Sequence, residues 1–369
     1  YKADMLWTPI ADLKLRAGYQ HAERGPNVNE LYQPPTPQFG APVDNCRSTV
    51  NLTNPAFNNP TNPNRARLQQ LCRAMMGAGA PPITNPITDP YGLNNYNGGG
   101  DISTPAFVSG NPLLKPESGD TVTAGFVFQP QWDLPLGART SLSVDYYDIR
   151  VKDAIASVSS QATFDFCYNA NGGNPTYDPN NLYCRNIGRD QTPGNNGVTT
   201  IVNGVTQNQG RIDTHGLDVQ FDISAQAGPG QVRLNSLVNR IFSFRQQAAP
   251  LQPQLQYGGH TGYYNWRTFN TLSYQWGQLN VGLRWQHLSA VKALAKVTSP
   301  TSTNPDIAAY DYFDLTGNYR LTDKISFGAG ISNLFDKVQP ETAVTPGSTD
   351  PQNYDIIGRR YFLRASVAF

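Results

Sequence analysis

From Leu13 the chain alternates Leu13, Leu15, Ala17 and Tyr19 with Lys14, Arg16, Gly18 and Gln20, a period of two that puts apolar and polar side chains on opposite faces of one strand. The pattern returns at Val122, Ala124, Phe126 and Phe128 against Thr121, Thr123 and Gly125, and at Leu217, Val219, Phe221 and Ile223 against Asp218, Gln220 and Asp222. It recurs over 279–286, 325–332 and 361–369, and in blurred form over 141–151, 232–244, 266–275 and 310–321. With a stub at 1–7 the pattern predicts roughly eleven strands of about ten residues, enough to cross a bilayer at a tilt.

The connections fall into two length classes that alternate along the chain. Short ones are expected at 8–12, 129–138, 227–230, 276–278 and 321–324, long ones at 25–116, 156–210, 246–263, 289–309 and 337–354. Tight turns at one end and long loops at the other are the anatomy of an all-β, transmembrane, antiparallel β-barrel. Loops beyond ~12–15 residues are uncommon in compact soluble domains, which a β-sandwich would be. Trp7, Tyr19, Phe128, Trp132, Trp276, Trp285, Tyr319, Phe335 and Phe369 sit near strand ends or turns, where rings form interfacial girdles.

Composition agrees with this reading. Hydrophobic residues make up 38% and charged residues 15% of the chain, both below the usual share of a soluble globular protein. The 33 Gly and 29 Pro, beside 19 Tyr and 16 Phe, suit short strands joined by polar loops. A net charge of +1 gives no general pull toward nucleic acid. No apolar run reaches the ~18–20 residues of a membrane helix, which leaves a barrel open because its strands average to a polar score.

Cys46 and Cys72, and Cys167 and Cys184, form two local pairs in Pro/Asn-rich stretches. Loop-bound disulfides in an oxidising compartment fit them better than free thiols or a zinc site, which prefers closer cysteines and histidine partners. His21, His215, His260 and His287 are scattered without metal spacing, and no nucleophile grouping can be assembled, so neither an enzyme nor a metal or cofactor site is expected. Asp311 and Asp314 fall on opposite faces of a strand, and the run Asn97-Gly98-Gly99-Gly100 lacks the Lys-Ser/Thr of a phosphate loop. Ligand contacts are expected instead from the polar strand face, at Arg16, Gln20, Asp218, Gln220, Arg284 and Gln286. The largest loop adds Arg47, Arg65, Arg67, Tyr91, Tyr96 and Asp101.

Five phrases in order carry a resemblance. Arg24-Gly25-Pro26-Asn27-Val28-Asn29-Glu30-Leu31-Tyr32 resembles the segment of TonB-dependent receptors where a barrel strand enters a large extracellular loop. Asn111-Pro112-Leu113-Leu114-Lys115-Pro116-Glu117 and Val144-Asp145-Tyr146-Tyr147-Asp148-Ile149 resemble the next two strands of that family. Asn333-Leu334-Phe335-Asp336 resembles its penultimate-strand ending, and terminal Phe369 resembles the signal read by the barrel assembly machinery. The resemblance implies the last eleven or so strands of a plugged barrel of about 22. Residues 1–369 would then be the C-terminal half of the barrel, with the plug, the TonB-engaging segment and the first strands outside it.

By the same resemblance the function is energy-coupled import of a scarce solute across the outer membrane of a Gram-negative bacterium. Siderophore-iron, cobalamin, an oligosaccharide or a peptide are all open as cargo. Implied partners are outer-membrane lipid, the TonB–ExbB–ExbD complex, the rest of the same receptor, the ligand and the assembly machinery, with no nucleic acid. The alternative is an outer-membrane structural or partner-binding barrel without transport.

Overall fold

The computed structural model describes residues 1–38, 42–48, 57–97, 105–170, 172–247 and 253–368. Among them the chain forms β1 (Lys2–Ile10), β2 (Leu13–Arg24), α1 (Val28–Tyr32), β3 (Thr36–Gln38), α2 (Arg65–Met76), β4 (Ala106–Ser109), β5 (Glu117–Phe128), β6 (Arg139–Ser157), α3 (Ser160–Cys167), β7 (Ile187–Arg189) and β8 (Thr199–Ala227). It continues with β9 (Gly230–Gln247), β10 (Leu255–Gln256), β11 (Trp266–Trp276), β12 (Leu279–Leu288), β13 (Tyr310–Arg320), β14 (Ile325–Ser332) and β15 (Arg360–Val367). One antiparallel path runs β1, β2, β5, β6, β8, β9, β11, β12, β13, β14, β15, so each of the eleven alternating stretches becomes a strand paired with its sequence neighbour.

Register explains why alternation was so regular. Leu15, Phe126, Val144, Val219 and Val238 stand opposite one another across five strands, and Leu234, Leu272, Leu283, Leu315, Ile331 and Tyr361 across the next. These rows make a largely apolar face, interrupted on β9 and β11 by Ser236, Arg240, Thr268 and Asn270, with outward-standing Val281, Leu363 and Val367 all exposed. Exposed Trp7, Trp132, Trp276 and Tyr319 mark its short-turn rim. Trp285, Phe313 and Phe335 pack ring to ring near the long-loop rim, at 6.1 and 5.2 Å. Phe369 lies outside the described residues.

The short turns are as expected; that between β11 and β12 uses Gly277 at φ +52°, which a two-residue hairpin turn requires. The long connections differ from the expectation in one place. β6 runs to Ser157 and β8 starts at Thr199, so much of 156–210 is paired strand. Ile201 and Val202 break the two-face alternation there because β8 is flanked by other partners: β4 in parallel and β7 in antiparallel.

The largest loop and the β6–β8 connection fold together into one body on the long-loop rim. Leu68, Leu71, Cys72 and Met76, on one face of α2, pack with Phe164, Cys167 and Tyr168 of the α3 region and with Leu93, Ile187 and Val202. Disulfides Cys46–Cys72 and Cys167–Cys184 close the two halves of this core. A second cluster, Tyr264, Leu288, Val291, Ile307, Tyr310 and Tyr354, binds the remaining long loops, with the Tyr264 hydroxyl donating to that of Tyr354 at 2.8 Å.

The phrases singled out in the sequence are structural joints. Arg24 donates from Nε to Glu117 on β5 at 2.6 Å and from its terminal nitrogens to Glu30, which closes the capping box of α1 with Asn27. Asn111 donates to the Thr206 carbonyl at 3.0 Å, tying the loop to β8. Asn333, at φ +55°, receives Lys337 N–H on its side-chain oxygen at 2.7 Å while its own N–H donates to Asp314.

Candidate functional site

The face opposite the apolar one carries a polar row. Arg16, Gly125, Asp145, Asp218, Asn239 and Arg267 are register partners in succession across β2, β5, β6, β8, β9 and β11. Gly125 permits this: a Cβ there would stand 2.2 Å from Asp145 Oδ1, whereas the bare backbone lets Arg16 reach over it. Arg16 Nε donates to Asp145 Oδ1 at 2.6 Å, its Nη2 pairs with Asp145 Oδ2, and Ser143 Oγ takes a further bond at 2.9 Å. Asn239 Nδ2 donates to Asp218 at 2.7 Å.

A cavity of about 420 Å³ opens along this row, floored by Leu237 and Phe269. Two groups along it have no protein partner among the described residues. Asn239 Oδ1 is buried without a hydrogen-bond partner, and Arg267 forms no ion pair or hydrogen bond among the described residues. A buried acceptor without a donor costs about 1–3 kcal/mol, which applies to Asn239 Oδ1, whereas the Arg267 side chain is exposed.

Of the residues expected from sequence, Arg16, Asp218, Gln220 and Gln286 line this cavity together. Arg284 lies on the same face, pairs with Asp314 and sits 5.6 Å over the Phe269 ring. Gln20 shares the face, opposite Thr121, two pairs beyond the row toward the long loops. The loop candidates are elsewhere, in the disulfide-closed body. Arg65 donates to Asn58 at 3.0 Å, Arg67 is exposed on α2, Arg47 is half-buried, and Tyr91 packs against the core. Tyr96 is buried, and Asp101 lies outside the described residues.

Asn239 and Arg267 were missed because outward-facing Ser236, Arg240, Thr268 and Asn270 blur the alternation of β9 and β11. Pairing β9 against β8, and β11 against β9, would have found them. Asp145 was read only as part of a phrase.

Inside the loop body Arg189 is fully buried and grips Asp44 with two bonds of 2.8 Å, while the Tyr168 hydroxyl lies 2.7 Å from Nη2 and that of Tyr96 3.5 Å from Nη1. Burial alone would lower the Arg189 pKa, but the charge of Asp44 overrides it and holds the guanidinium well above its ordinary value. Burial pushes the Tyr168 hydroxyl up to about 12.

Asp165 of α3 is different. Burial raises its carboxyl against two amides, Gln161 at 3.1 Å and Asn45 at 3.2 Å, that both donate to Oδ1. A carboxyl raised in the folded state favours folding fully below its unfolded pKa and loses that contribution as pH rises through the folded value. Asp165→Asn keeps an acceptor for both amides, so it is expected to stabilise the loop body at pH 7 and to leave it unchanged near pH 3. Thermal unfolding of the body followed at both pH values checks this; a neutral-pH loss of stability would contradict it.

A family profile described as "TonB dependent receptor-like, beta-barrel" matches residues 1–334. No curated protein matches the sequence. Among solved structures, a mutant of the ferric enterobactin receptor PfeA of Pseudomonas aeruginosa, in complex with enterobactin, superposes with TM-score 0.55 at 15% identity, covering 99% of this chain and 40% of that one. The siderophore receptor PirA of Acinetobacter baumannii superposes with TM-score 0.53 at 14% identity, covering 100% and 40%. The chain thus spans about two fifths of the length of the receptors it matches, and at such identities the likeness is one of fold.

Proposed function

The chain belongs to the TonB-dependent receptor β-barrel family, and from that premise we propose that it forms part of an outer-membrane importer of an anionic ferric chelate. The family is one of receptors and transporters. The apolar face then meets lipid and the polar face lines the lumen, as in other barrels of this kind. The observation that carries the choice of cargo is Arg267: in a cavity whose one other lining cation, Arg16, is paired with Asp145, it offers an uncommitted guanidinium beside an unsatisfied amide oxygen.

The chemistry available is recognition without bond breaking. Arg267 would take carboxylate or catecholate oxygens in a charge-assisted contact. Asn239 Oδ1 would accept from an amide or hydroxyl of the ligand, and Phe269 would supply a flat apolar surface. Arg16, already held by Asp145 and Ser143, shapes the rim. Asp218 accepts from Asn239, and Asp222 from Gln220 and Asn235, and neither of these carboxylates forms an ion pair with Arg267 among the described residues. Two features of the family reading lie outside this chain and are part of the proposal. A plug would close the lumen, and TonB would supply the energy for release.

The test uses the full-length receptor in whole cells, with iron-59 delivered as ferric enterobactin or ferric citrate. Arg267→Gln is expected to raise the half-saturating chelate concentration about tenfold or more, the loss of one charged contact. Arg320→Gln, on the same face but at the short-turn rim, is expected to leave it unchanged. Uptake that does not depend on TonB, or an Arg267→Gln variant with wild-type affinity for every chelate it transports, would sink the reading.

A further inference from the structure

A second cavity, about 650 Å³, opens on the polar face nearer the long loops. Its walls come from five separate stretches: the ends of β6 and β9, the part of β8 beyond the ladder's middle, the segment 253–257 that holds β10, and the turn around residues 297–300. Unlike the first cavity it is lined mostly by apolar residues, with Ile155, Ile212, Leu255 and Val297 as its branched aliphatics, and its polar members are Arg211, Gln246, Gln247 and Thr298.

Ile212 and Asp218 are both even positions of β8 and so share a face; their register partners on β6, Val151 and Asp145, show the same parity. Six residues separate the two cavities along β8, about 20 Å at ~3.3 Å per residue. The face positions between them are Thr214 and Gly216, and the Tyr147 ring lies over Gly216, where a Cβ would stand 2.5 Å from its hydroxyl. A largely apolar cavity at the mouth and a polar cavity deeper on the wall therefore share one face, with Tyr147 between them.

An aliphatic hollow at the mouth of a water-filled lumen is costly to leave wet, at about 25 cal/mol for each Å². Its volume falls in the ~300–1,000 Å³ range of small-molecule sites. The lining selects a chain over a ring, because the one aromatic wall residue, Tyr257, already packs on Tyr263 at 5.4 Å. We propose that the transported solute is amphiphilic: a medium-length acyl arm occupies the cavity at Ile212 while its anionic head engages Arg267. This rests on the import reading above and narrows it to chelates that carry such an arm.

The experiment compares two ferric tris-catecholate chelates that differ only in an acetyl or an octanoyl group, bound to the full-length receptor in lipid nanodiscs, with empty nanodiscs subtracted for partitioning. The octanoyl probe is expected to bind about tenfold or more tightly. Ile212→Asn, and independently Val297→Asp in the covering turn, are expected to bring the two probes to equal affinity; a folding failure of the strand variant would leave the turn variant to decide. Equal affinities for the wild type would overturn the acyl-arm assignment and leave import of the head standing. An octanoyl advantage that survives both variants would place the arm elsewhere and also overturn it. Failure of either probe to bind would overturn both readings.

Discussion

Arg189→Ala is expected to unfold the disulfide-closed loop body while the strand ladder beneath it stays assembled. Removing the guanidinium strands Asp44, which is nearly buried, and takes away two bonds of 2.8 Å together with partners for Tyr168, the Gly197 carbonyl and Cys46 Sγ. Breaking one side of a buried pair costs about 3–5 kcal/mol because the survivor is left charged and desolvated. That is a large share of what a body of this size can hold in reserve. The ladder is spared because its pairing runs strand to strand without Arg189. Hydrogen exchange over 57–97 and 158–198 reads the loss directly, with heat-modifiable gel migration reporting the barrel. Replacing both partners by apolar residues, Arg189→Met with Asp44→Leu, is expected to recover much of it, since a well-packed apolar pair is often no less stable. Protection unchanged in Arg189→Ala would mean that the pair adds nothing to the body.

Loss of the Cys46–Cys72 bridge is the second large effect. It closes a sequence separation of 26 residues, for which loop-closure entropy gives about 3–4 kcal/mol. Cys167–Cys184 closes 17 and is worth slightly less on the same account. The Cys46→Ser, Cys72→Ser double variant is expected to expose α2 to protease at temperatures where the wild type resists. Cys46 Sγ also lies 3.2 Å from Arg189 Nη2, so the bridge and the ion pair are neighbours. Their combined loss is expected to fall short of the sum of the two single losses, the usual sign of a shared structural unit. Additive losses would show two independent supports instead.

On the proposed import function, these effects would act through geometry. The loop body stands on the outward extension of β8, rooted by β4 and β7, and the same strand carries Ile212 and Asp218 along the lumen wall. A loosened body would therefore disturb the mouth before the deeper cavity. Ligand capture at low concentration should suffer more than transport at saturation.

Much of the ladder was legible in the sequence because a strand with lipid on one side and a polar lumen on the other must alternate, and the alternation is local. Leu13 to Gln20 and 217–223 needed no partner to be read. The lengths of the connections were equally local, and so were the two cysteine pairs, each joined within a single loop. The limits are as specific. Strands β9 and β11 carry polar residues on their outer faces, so their lumen residues Asn239 and Arg267 could not be told from the rest. The start of β8 was read as loop because its partners there lie on other segments.

What the sequence determined by itself was thus the set of strands, the two classes of turn and the polar face from which a site would be drawn. Tertiary structure alone decided which charges meet. Arg16 and Asp145 are 129 residues apart, Arg189 and Asp44 are 145 apart, and only the cross-strand register or the folded loop core brings them together. It also decided that Tyr96 is buried with Arg189 in the loop core, away from the lumen cavity, and that Arg267 lines that cavity with no ion pair or hydrogen bond among the described residues. The physical reason is that alternation is a property of one strand and its two environments, whereas register, loop packing and charge pairing are agreements between segments far apart in the chain.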